Sequence, residues 1–247
     1  MNIIEKLQQK IAQTEKFEDF QIIFYEIAKE LLTNYVLQIN GKDIELLEIE
    51  FYFKDANKHN DRYTHGKKEQ QLAKNLLYIH SSGRGGVDIS FGNGIYYGGI
   101  LIKSIKIDNE YIIGQQNVFN KIIEIFNVEP PKNGKYAFLQ NIVYEKDISL
   151  QEKKLDNQKV LISTRIGLEK NKEKYPEYLY LLYRFIREDC LKQNKDKITE
   201  IKAIYKIIFK EDLEGEKVDG EINKIKLSET EKYNYLNQNI QTFKDNL

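Results

Sequence analysis

The hydrophobic pattern of this chain changes period near Val36, and that change constrains the fold more than any other feature. Over residues 1–35, apolar residues recur three and four positions apart, as in IIEKLQQKIAQ and FEDFQIIFYEIAKELLTNYV, which predicts amphipathic helices. Beyond this point ELLEIEFYFK alternates, with Glu48, Glu50 and Tyr52 on one face and apolar residues on the other. The chain is therefore expected to begin with helices and to continue into a sheet.

Further strands and helices are predicted along the chain. NLLYIH, GVDIS and GGILIKSIKI are strand candidates between glycine-rich turns, and KYAFLQNIVY, VLISTRIGL and YLYLLYRFI are later ones. VFNKIIEIFN, ITEIKAIYKIIF and SETEKYNYLNQNIQTF are predicted helices. No internal repeat or long linker separates them, so the simplest prediction is a single α+β domain over residues 1–247. Its parts are N-terminal helices in 1–35, a β core in 36–190 and C-terminal helices in 191–247.

Composition excludes several classes of protein. The 247 residues are 41% hydrophobic and 12% aromatic, which is typical of a globular protein. Lys+Arg and Asp+Glu both total 38, so the net charge of zero argues against a strongly basic nucleic-acid binder, although a local basic face is compatible with it. The single Cys190 excludes an internal disulfide framework and a multi-cysteine zinc site. We expect a cytoplasmic protein, because no stretch resembles a signal peptide or reaches the ~20 apolar residues of a membrane span.

Glycine is concentrated in one stretch, HSSGRGGVDISFGNGIYYGG, which runs from His80 to Gly99. It holds seven of the chain's fourteen glycines. Glycine is useful where the backbone needs a positive φ or where another group must approach it closely. The stretch is therefore either a set of tight hairpin turns or the wall of a binding site.

Polar side chains surround this stretch in the sequence. The three histidines, His59, His65 and His80, fall within 22 residues and follow the strand that carries Glu50. Asp88 repeats the polar alternation on a later strand. If these strands are adjacent, carboxylates, imidazoles and phenols meet on one surface, which is the usual composition of an active site. An ordinary half-solvated sheet face is the alternative interpretation.

Three familiar motifs do not account for the pattern. GRGGVDISFGNG lacks the G-K-[ST] ending of a phosphate-binding loop and does not give G-x-G-x-x-G before a helix. HNDRYTH is not a recognised metal spacing, although a zinc site on His59, His65 and a carboxylate stays open as an alternative. Ser81 and Ser82 beside His80 have the residue types of a nucleophile and its base, but no nucleophile elbow surrounds them.

Several short motifs occur in a recognisable order. EIEFYF holds a Glu-x-Tyr strand, DRYTHG an acidic stretch ending in histidine, and LLYIH, VDIS and GGILIKSI three further strands. An Arg-x-Gly at Arg165–Gly167 and an Arg-Phe pair at Arg184 follow. This order, over residues ~45–187, resembles the methylpurine (alkyladenine) DNA glycosylase family. The resemblance implies a curved, mostly antiparallel β-sheet flanked by helices, similar also to the C-terminal domain of formyltransferases.

The resemblance also implies roles for individual residues. Glu50 corresponds to the catalytic carboxylate, which stabilises an oxocarbenium-like sugar and takes a proton from the attacking water. The residues expected to line a pocket for a base rotated out of the stack are Tyr52, His65, Tyr78, His80 and Asp88, together with His59 from the same polar loop. Those expected to contact nucleic acid are Arg84, Lys103 and Arg165. The family uses no metal or other cofactor, and the partner implied is DNA.

The chain departs from the family at the pocket and at the hairpin beside it. His80 stands in place of an aromatic wall, and Asp88 in place of a neutral asparagine, which favours a cationic or amino-bearing base. The hairpin SSGRGG has Arg84 as its only large side chain where the family carries an aromatic wedge. No lysine adjoins Glu50 on its own strand, so we expect hydrolysis of the N-glycosidic bond without a lyase step. Two alternatives stay open: a nucleic-acid-binding module that has lost catalysis, and a small-molecule nucleoside hydrolase.

Overall fold

A computed structural model of the chain describes residues 2–71, 76–80, 85–127, 142–144, 148–155, 158–168, 175–191, 193, 198–210 and 230–247. The helices are α1 (Ile3–Gln13), α2 (Asp19–Asn34), α3 (Lys68–Gln71), α4 (Gln115–Ile125), α5 (Pro176–Leu179), α6 (Glu188–Leu191), α7 (Ile198–Phe209) and α8 (Thr230–Asn246). The strands are β1 (Tyr35–Ile39), β2 (Lys42–Asp55), β3 (His59–Asn60), β4 (Leu76–His80), β5 (Gly86–Ser90), β6 (Tyr97–Ile107), β7 (Glu110–Ile113), β8 (Ile142–Tyr144), β9 (Ile148–Glu152), β10 (Val160–Ser163) and β11 (Arg184–Arg187).

The strands form one curled antiparallel sheet, which with the helices makes a single α+β domain. Its main order is β10-β11-β2-β6-β5-β4-β8, with β1, β3, β7 and β9 attached at the sides. The long strand β2 is central, since it pairs with β1, β11, β6 and β3 along its length. The register of β2 against β6 shifts on either side of Glu48, and such irregularities bend a strand and increase its twist. The predicted fold class is confirmed.

Helix α2 covers the apolar face of the sheet. Phe24 stacks on Phe51 with ring centroids 4.6 Å apart, and Phe20 lies 5.0 Å from Phe53. All four rings are fully buried, and each contributes about 1.5–3 kcal/mol by leaving water. The alternation of β2 is the cause, because it sends these phenylalanines to one side and the polar residues to the other.

A smaller apolar cluster covers the opposite face of the sheet at its β10–β11 end. It joins Leu161 of β10 and Ile186 of β11 to Ile201 and Tyr205 of α7. The polar part of that face therefore begins where this cluster ends, next to Glu48 and Glu50. Within the described ranges no helix is long and apolar enough to cross a membrane.

The stretch YLYLLYRFI differs from its sequence-based prediction as a continuous strand. Its first residues belong to the short helix α5, and the strand β11 begins only at Arg184. The backbone between them bonds outside the ladder: Leu182 N donates to Gln21 Oε1 at 3.0 Å, and Tyr183 O accepts from Phe51 N at 2.8 Å. These tertiary hydrogen bonds override the strand preference of tyrosine and leucine.

His59 is part of the aromatic core. Its Nδ1 lies 3.1 Å from Phe53 O, which can only accept, so Nδ1 carries the hydrogen and Nε2 accepts from the Tyr183 hydroxyl at 2.7 Å. The ring stacks on Phe17 at 4.8 Å and is 1% exposed. Burial lowers the pKa of His59 to about 4, which keeps the ring neutral at ordinary pH.

We predict that His59 makes the protein less stable as the pH falls from about 6.5 to about 4. The unfolded chain binds a proton at histidine near pH 6.5, whereas the folded ring does so only near pH 4, so the unfolded state holds more protons in this window. The free energy of unfolding should fall by about 3 kcal/mol from this residue as the pH is lowered. Urea unfolding of the wild type and of His59→Gln at pH 7 and pH 4 measures the effect.

The comparison with His59→Gln isolates this residue, because every other titratable group is common to the two proteins. The variant should lose about 3 kcal/mol of the pH dependence that the wild type shows. Equal pH dependence in the wild type and His59→Gln would contradict the prediction.

Candidate active site

One row of residues across the polar face of the sheet contains several of the predicted site residues. Glu50 on β2 lies between Arg184 on β11 and Leu101 on β6. Leu101 lies opposite Asp88 on β5, and Asp88 lies opposite Tyr78 on β4. Directly opposed residues of an antiparallel ladder point to the same face. Glu50, Asp88 and Tyr78 therefore share one face, and none of them is more than 4% exposed.

Three groups surround the Glu50 carboxylate. The Tyr52 hydroxyl donates to Oε2 at 2.9 Å, and the backbone N–H of Ile166 donates to Oε1 at 3.0 Å. The ammonium of Lys103, from the neighbouring strand β6, lies 3.8 Å from Oε1. Both carboxylate oxygens thus have partners although the residue is 0% exposed, as a buried charged group requires.

Tyr52 connects Glu50 to Arg165. The Arg165 guanidinium lies over the Tyr52 ring, 4.7 Å from its centroid, which is a cation–π distance. Burial and then the nearby Glu50 charge raise the pKa of Tyr52 well above its ordinary value. The phenol therefore keeps its proton and acts as a donor to Glu50. Taken as a whole residue Tyr52 is half-buried, whereas Glu50 is fully buried.

Arg165 forms a buried ion pair and does not lie at the surface. Its Nη1 is 2.6 Å from Asp61 Oδ2, and both side chains are 0% exposed. The same guanidinium donates to Phe51 O at 3.2 Å and to Tyr178 O at 2.9 Å. It therefore joins β2, the loop after β3 and helix α5, and it holds Ile166 beside Glu50. This placement assigns Arg165 a structural role in place of the expected surface contact with nucleic acid.

Lys103 also has a different environment from the one expected for a nucleic-acid contact. The residue is 8% exposed, and its Nζ lies 3.4 Å from Gln115 Oε1 at the start of α4 as well as near Glu50. No lysine adjoins Glu50 on its own strand, and the sequence alone does not show which strands become neighbours. The sheet brings Lys103 to Glu50 from the adjacent strand.

Glu48 lies on the same face as Glu50 and stabilises the packing of neighbouring strands. Its carboxylate accepts from Arg184 Nε at 2.7 Å and from the Ser104 hydroxyl at 2.9 Å, and all three residues are buried. These contacts bind β11, β2 and β6 to one another. Glu48 thereby differs from Glu50, which is bound by a partly exposed tyrosine and by a loop N–H.

Asp88 has a neutral neighbour that the sequence did not reveal. Gln70 of α3 donates from Nε2 to Asp88 Oδ2 at 3.2 Å. Both residues are buried, and Gly99 of β6 leaves room for them, since a Cβ there would lie 2.9 Å from Asp88 Oδ2. The close approach explains one glycine of the glycine-rich stretch.

The other predicted residues fall into three groups. His59 belongs to the aromatic core described above and not to the groups that contact Glu50. His65 is exposed on the loop between β3 and α3. His80 ends β4, but its side chain lies outside the described part of the chain, and Arg84 lies outside it altogether.

Three contributors to the site could not be predicted from the sequence: Gln70, the N–H of Ile166 and the Asp61–Arg165 ion pair. Gln70 occurs in the polar run KKEQQ, where nothing distinguishes it from a solvated residue. A backbone N–H carries no residue-type signal. Asp61 and Arg165 are 104 residues apart, and only an alignment of covarying positions could have paired them.

No group of three or more His, Cys, Asp or Glu side chains that could hold a metal ion occurs among the described residues. The carboxylates of Glu48 and Asp61 are instead bound by arginines, and that of Glu50 lies near Lys103.

Comparison with known proteins adds one relative. No protein-family model matches the chain. Uncharacterized protein L759 of Acanthamoeba polyphaga mimivirus is 28% identical over 208 residues, covering 72% of this chain and 92% of that protein. Its name states no activity, so the functional argument depends on the site.

We predict that Asp61→Asn destabilises the protein by about 3–5 kcal/mol, because removing one partner of a buried ion pair leaves the other charge uncompensated. Urea unfolding at pH 7 measures the change. The matched control is Asp43→Asn, which breaks the exposed pair of Asp43 with Lys153 (2.8 Å) and should cause a much smaller loss, since solvent screens that pair. Equal losses in the two variants would contradict a central role for Arg165 and Asp61.

Proposed function

We propose that this protein is a divergent DNA glycosylase-like hydrolase, in which Glu50 activates water to break the N-glycosidic bond of a modified base rotated out of the helix. The observation that carries the proposal is the Glu50 carboxylate, which is buried, bound by a partly exposed tyrosine and aligned with Asp88 on one sheet face. The order of motifs that resembles the methylpurine DNA glycosylase family supports the same assignment.

The proposed reaction uses Glu50 as a general base and as a counter-charge. As the bond between C1′ of the sugar and the base nitrogen breaks, its electron pair leaves with the base and the sugar gains positive charge. A carboxylate stabilises that charge and accepts a proton from the water that attacks C1′. Tyr52 and the Ile166 N–H fix the orientation of Glu50.

We propose hydrolysis without a metal or a lyase step. Lys103 is the amine near Glu50, and its Nζ lies 3.8 Å from that carboxylate in an ion pair, which counts against its use as a nucleophile toward the sugar. Its charge balances Glu50 inside the protein. The base would lie near Tyr52, Tyr78 and Asp88, with His65 and His80 as further proposed pocket residues.

One observation favours the alternative of a small-molecule nucleoside hydrolase. Arg165 is 2% exposed and Lys103 is 8% exposed, so these two cations do not offer the surface charge on which duplex binding usually depends. The chemistry at Glu50 would be the same with a free nucleoside, and only the partner would differ.

We predict that Glu50→Gln lowers base release at least about a hundredfold, since general-base catalysis contributes roughly 10²–10⁴. The assay uses duplexes and single strands carrying alkylated or deaminated bases, with free modified nucleosides in parallel, and detects the released base by chromatography. Glu45→Gln is the matched control, because Glu45 lies on the same strand but pairs with Lys106 and Arg187 away from Glu50. It should release base at the wild-type rate.

The outcomes separate the candidates. Release from DNA that is lost only in Glu50→Gln supports the glycosylase, and release from nucleosides alone supports the nucleoside hydrolase. Tight DNA binding without release, unaffected by Glu50→Gln, would point to a binding module. Equal release by wild type and Glu50→Gln would remove Glu50 from the mechanism.

A further inference from the structure

Two buried polar atoms next to Asp88 have no hydrogen-bond partner within the described residues. They are Oε1 of Gln70 and Oγ of Ser90, on residues that are 2% and 0% exposed. An unsatisfied buried polar group costs about 1–3 kcal/mol, and native proteins keep few of them. Such atoms beside a proposed pocket point to a ligand that completes their hydrogen bonds.

The sheet register places these groups together over Gly99. Ser90 lies opposite Gly99, and Gly99 lies opposite Tyr52, so one row runs from the tyrosine to the serine with no side chain between them. A Cβ at Gly99 would lie 3.4 Å from Gln70 Nε2 and 2.9 Å from Asp88 Oδ2. Asp88, Gln70 and Ser90 therefore converge on the backbone of Gly99, beside the tyrosine that binds Glu50.

The atoms in this cluster are mostly acceptors. A carboxylate accepts about four hydrogen bonds and donates none, and the amide of Gln70 uses its nitrogen toward Asp88 and keeps its oxygen as an acceptor. The Ser90 hydroxyl can rotate to donate or accept. A ligand that fits must present neighbouring N–H donors.

Nucleobases differ in this respect. The pairing edge of guanine carries two adjacent donors, the ring N1–H and the 2-amino group, next to the 6-oxo acceptor. Adenine and cytosine place a ring acceptor beside their single amino group, and hypoxanthine lacks the 2-amino donor. Two side-by-side acceptors with a rotatable hydroxyl match the guanine edge.

We propose that Asp88, Gln70 and Ser90 read the 2-amino-6-oxopurine edge of the base and make this protein selective for guanine-type over hypoxanthine- and adenine-type bases. Asp88 accepts from N1–H and from the 2-amino group, Gln70 Oε1 accepts the remaining amino hydrogen, and Ser90 donates to the 6-oxo oxygen. This inference rests on the proposed function for its setting, but it concerns recognition and is measurable without catalysis.

The probes are two nucleosides that differ only in the 2-amino group, 7-methyl-2′-deoxyguanosine and 7-methyl-2′-deoxyinosine. Titration calorimetry with the Glu50→Gln protein, chosen to slow turnover, should give at least tenfold tighter binding of the guanine nucleoside, as expected for a buried acceptor pair that loses one donor. Adding Asp88→Asn should bring the ratio close to one, because the new amide N–H faces a donor.

Two further variants show whether a change in the binding ratio comes from the proposed contacts or from a general effect on the fold. Asp55→Asn is the matched control: Asp55 is also a buried aspartate at the end of β2, its carboxylate accepts turn N–H groups, and its variant should keep the tenfold ratio. Ser90→Ala removes only a hydroxyl and should lower the ratio even if Asp88→Asn fails to fold, which circular dichroism reports.

The results distinguish this inference from the proposed function. Selective binding that depends on Asp88, without base release by the wild type, supports the inference and removes the glycosylase proposal. Base release by the wild type with equal binding of the two nucleosides overturns the inference and leaves the glycosylase proposal in place. Binding of neither nucleoside, in free form or within a duplex, overturns the inference.

Discussion

The buried ion pair between Arg165 and Asp61 is the interaction on which the rest of the site depends. One guanidinium binds a carboxylate from the loop after β3, the carbonyl of Phe51 on the central strand and the carbonyl of Tyr178 in α5. Its plane also lies against Tyr52. Because Ile166 follows Arg165 directly, the same anchor delivers the N–H that binds Glu50. Fixing Arg165 therefore fixes both hydrogen-bond donors of the proposed catalytic carboxylate, although Arg165 itself makes no hydrogen bond to Glu50 among the described contacts.

The alternation of β2 divides the molecule into a face for stability and a face for chemistry. Phe51 and Phe53 pack under α2 and supply apolar burial, while Glu48 and Glu50 point the other way. On the polar face the two glutamates have separate tasks, because Glu48 is closed in by Arg184 and Ser104 within the sheet. On the polar face, structural ion pairs thus lie at one end, and the groups near Tyr52 and Gly99 lie beyond them.

The hydrophobic periodicity of the sequence predicted much of this arrangement. The remaining features depend on tertiary contacts, which periodicity does not show. The helices near both ends, the strands around GVDIS and GILIKSI, and the two faces of EIEFYF follow from periodicity alone. Periodicity cannot show which strands become neighbours, so the approach of Lys103 to Glu50 and the burial of Arg165 were not predicted. His59 is a different case, because tertiary contacts decide where it lies. Its polar loop suggested a binding role, but two hydrogen bonds and a stack on Phe17 place it in the core.

Burying the polar groups on this face of the sheet lowers the stability of the folded protein, and the places where that stability is lost bear on function. Ion pairs such as Glu48 with Arg184 offset part of their desolvation through each other, although Nη1 and Nη2 of Arg184 have no partner within the described residues. Gln70 Oε1 and Ser90 Oγ have no such compensation within the described residues, and both lie at Gly99, where a larger residue would displace Asp88. Apolar side chains at the positions of Gln70 and Ser90 would avoid this cost, and the opposite face of the sheet is filled by apolar residues such as phenylalanine and isoleucine. These two uncompensated atoms lie where the proposed base would bind, and a ligand there can restore their hydrogen bonds.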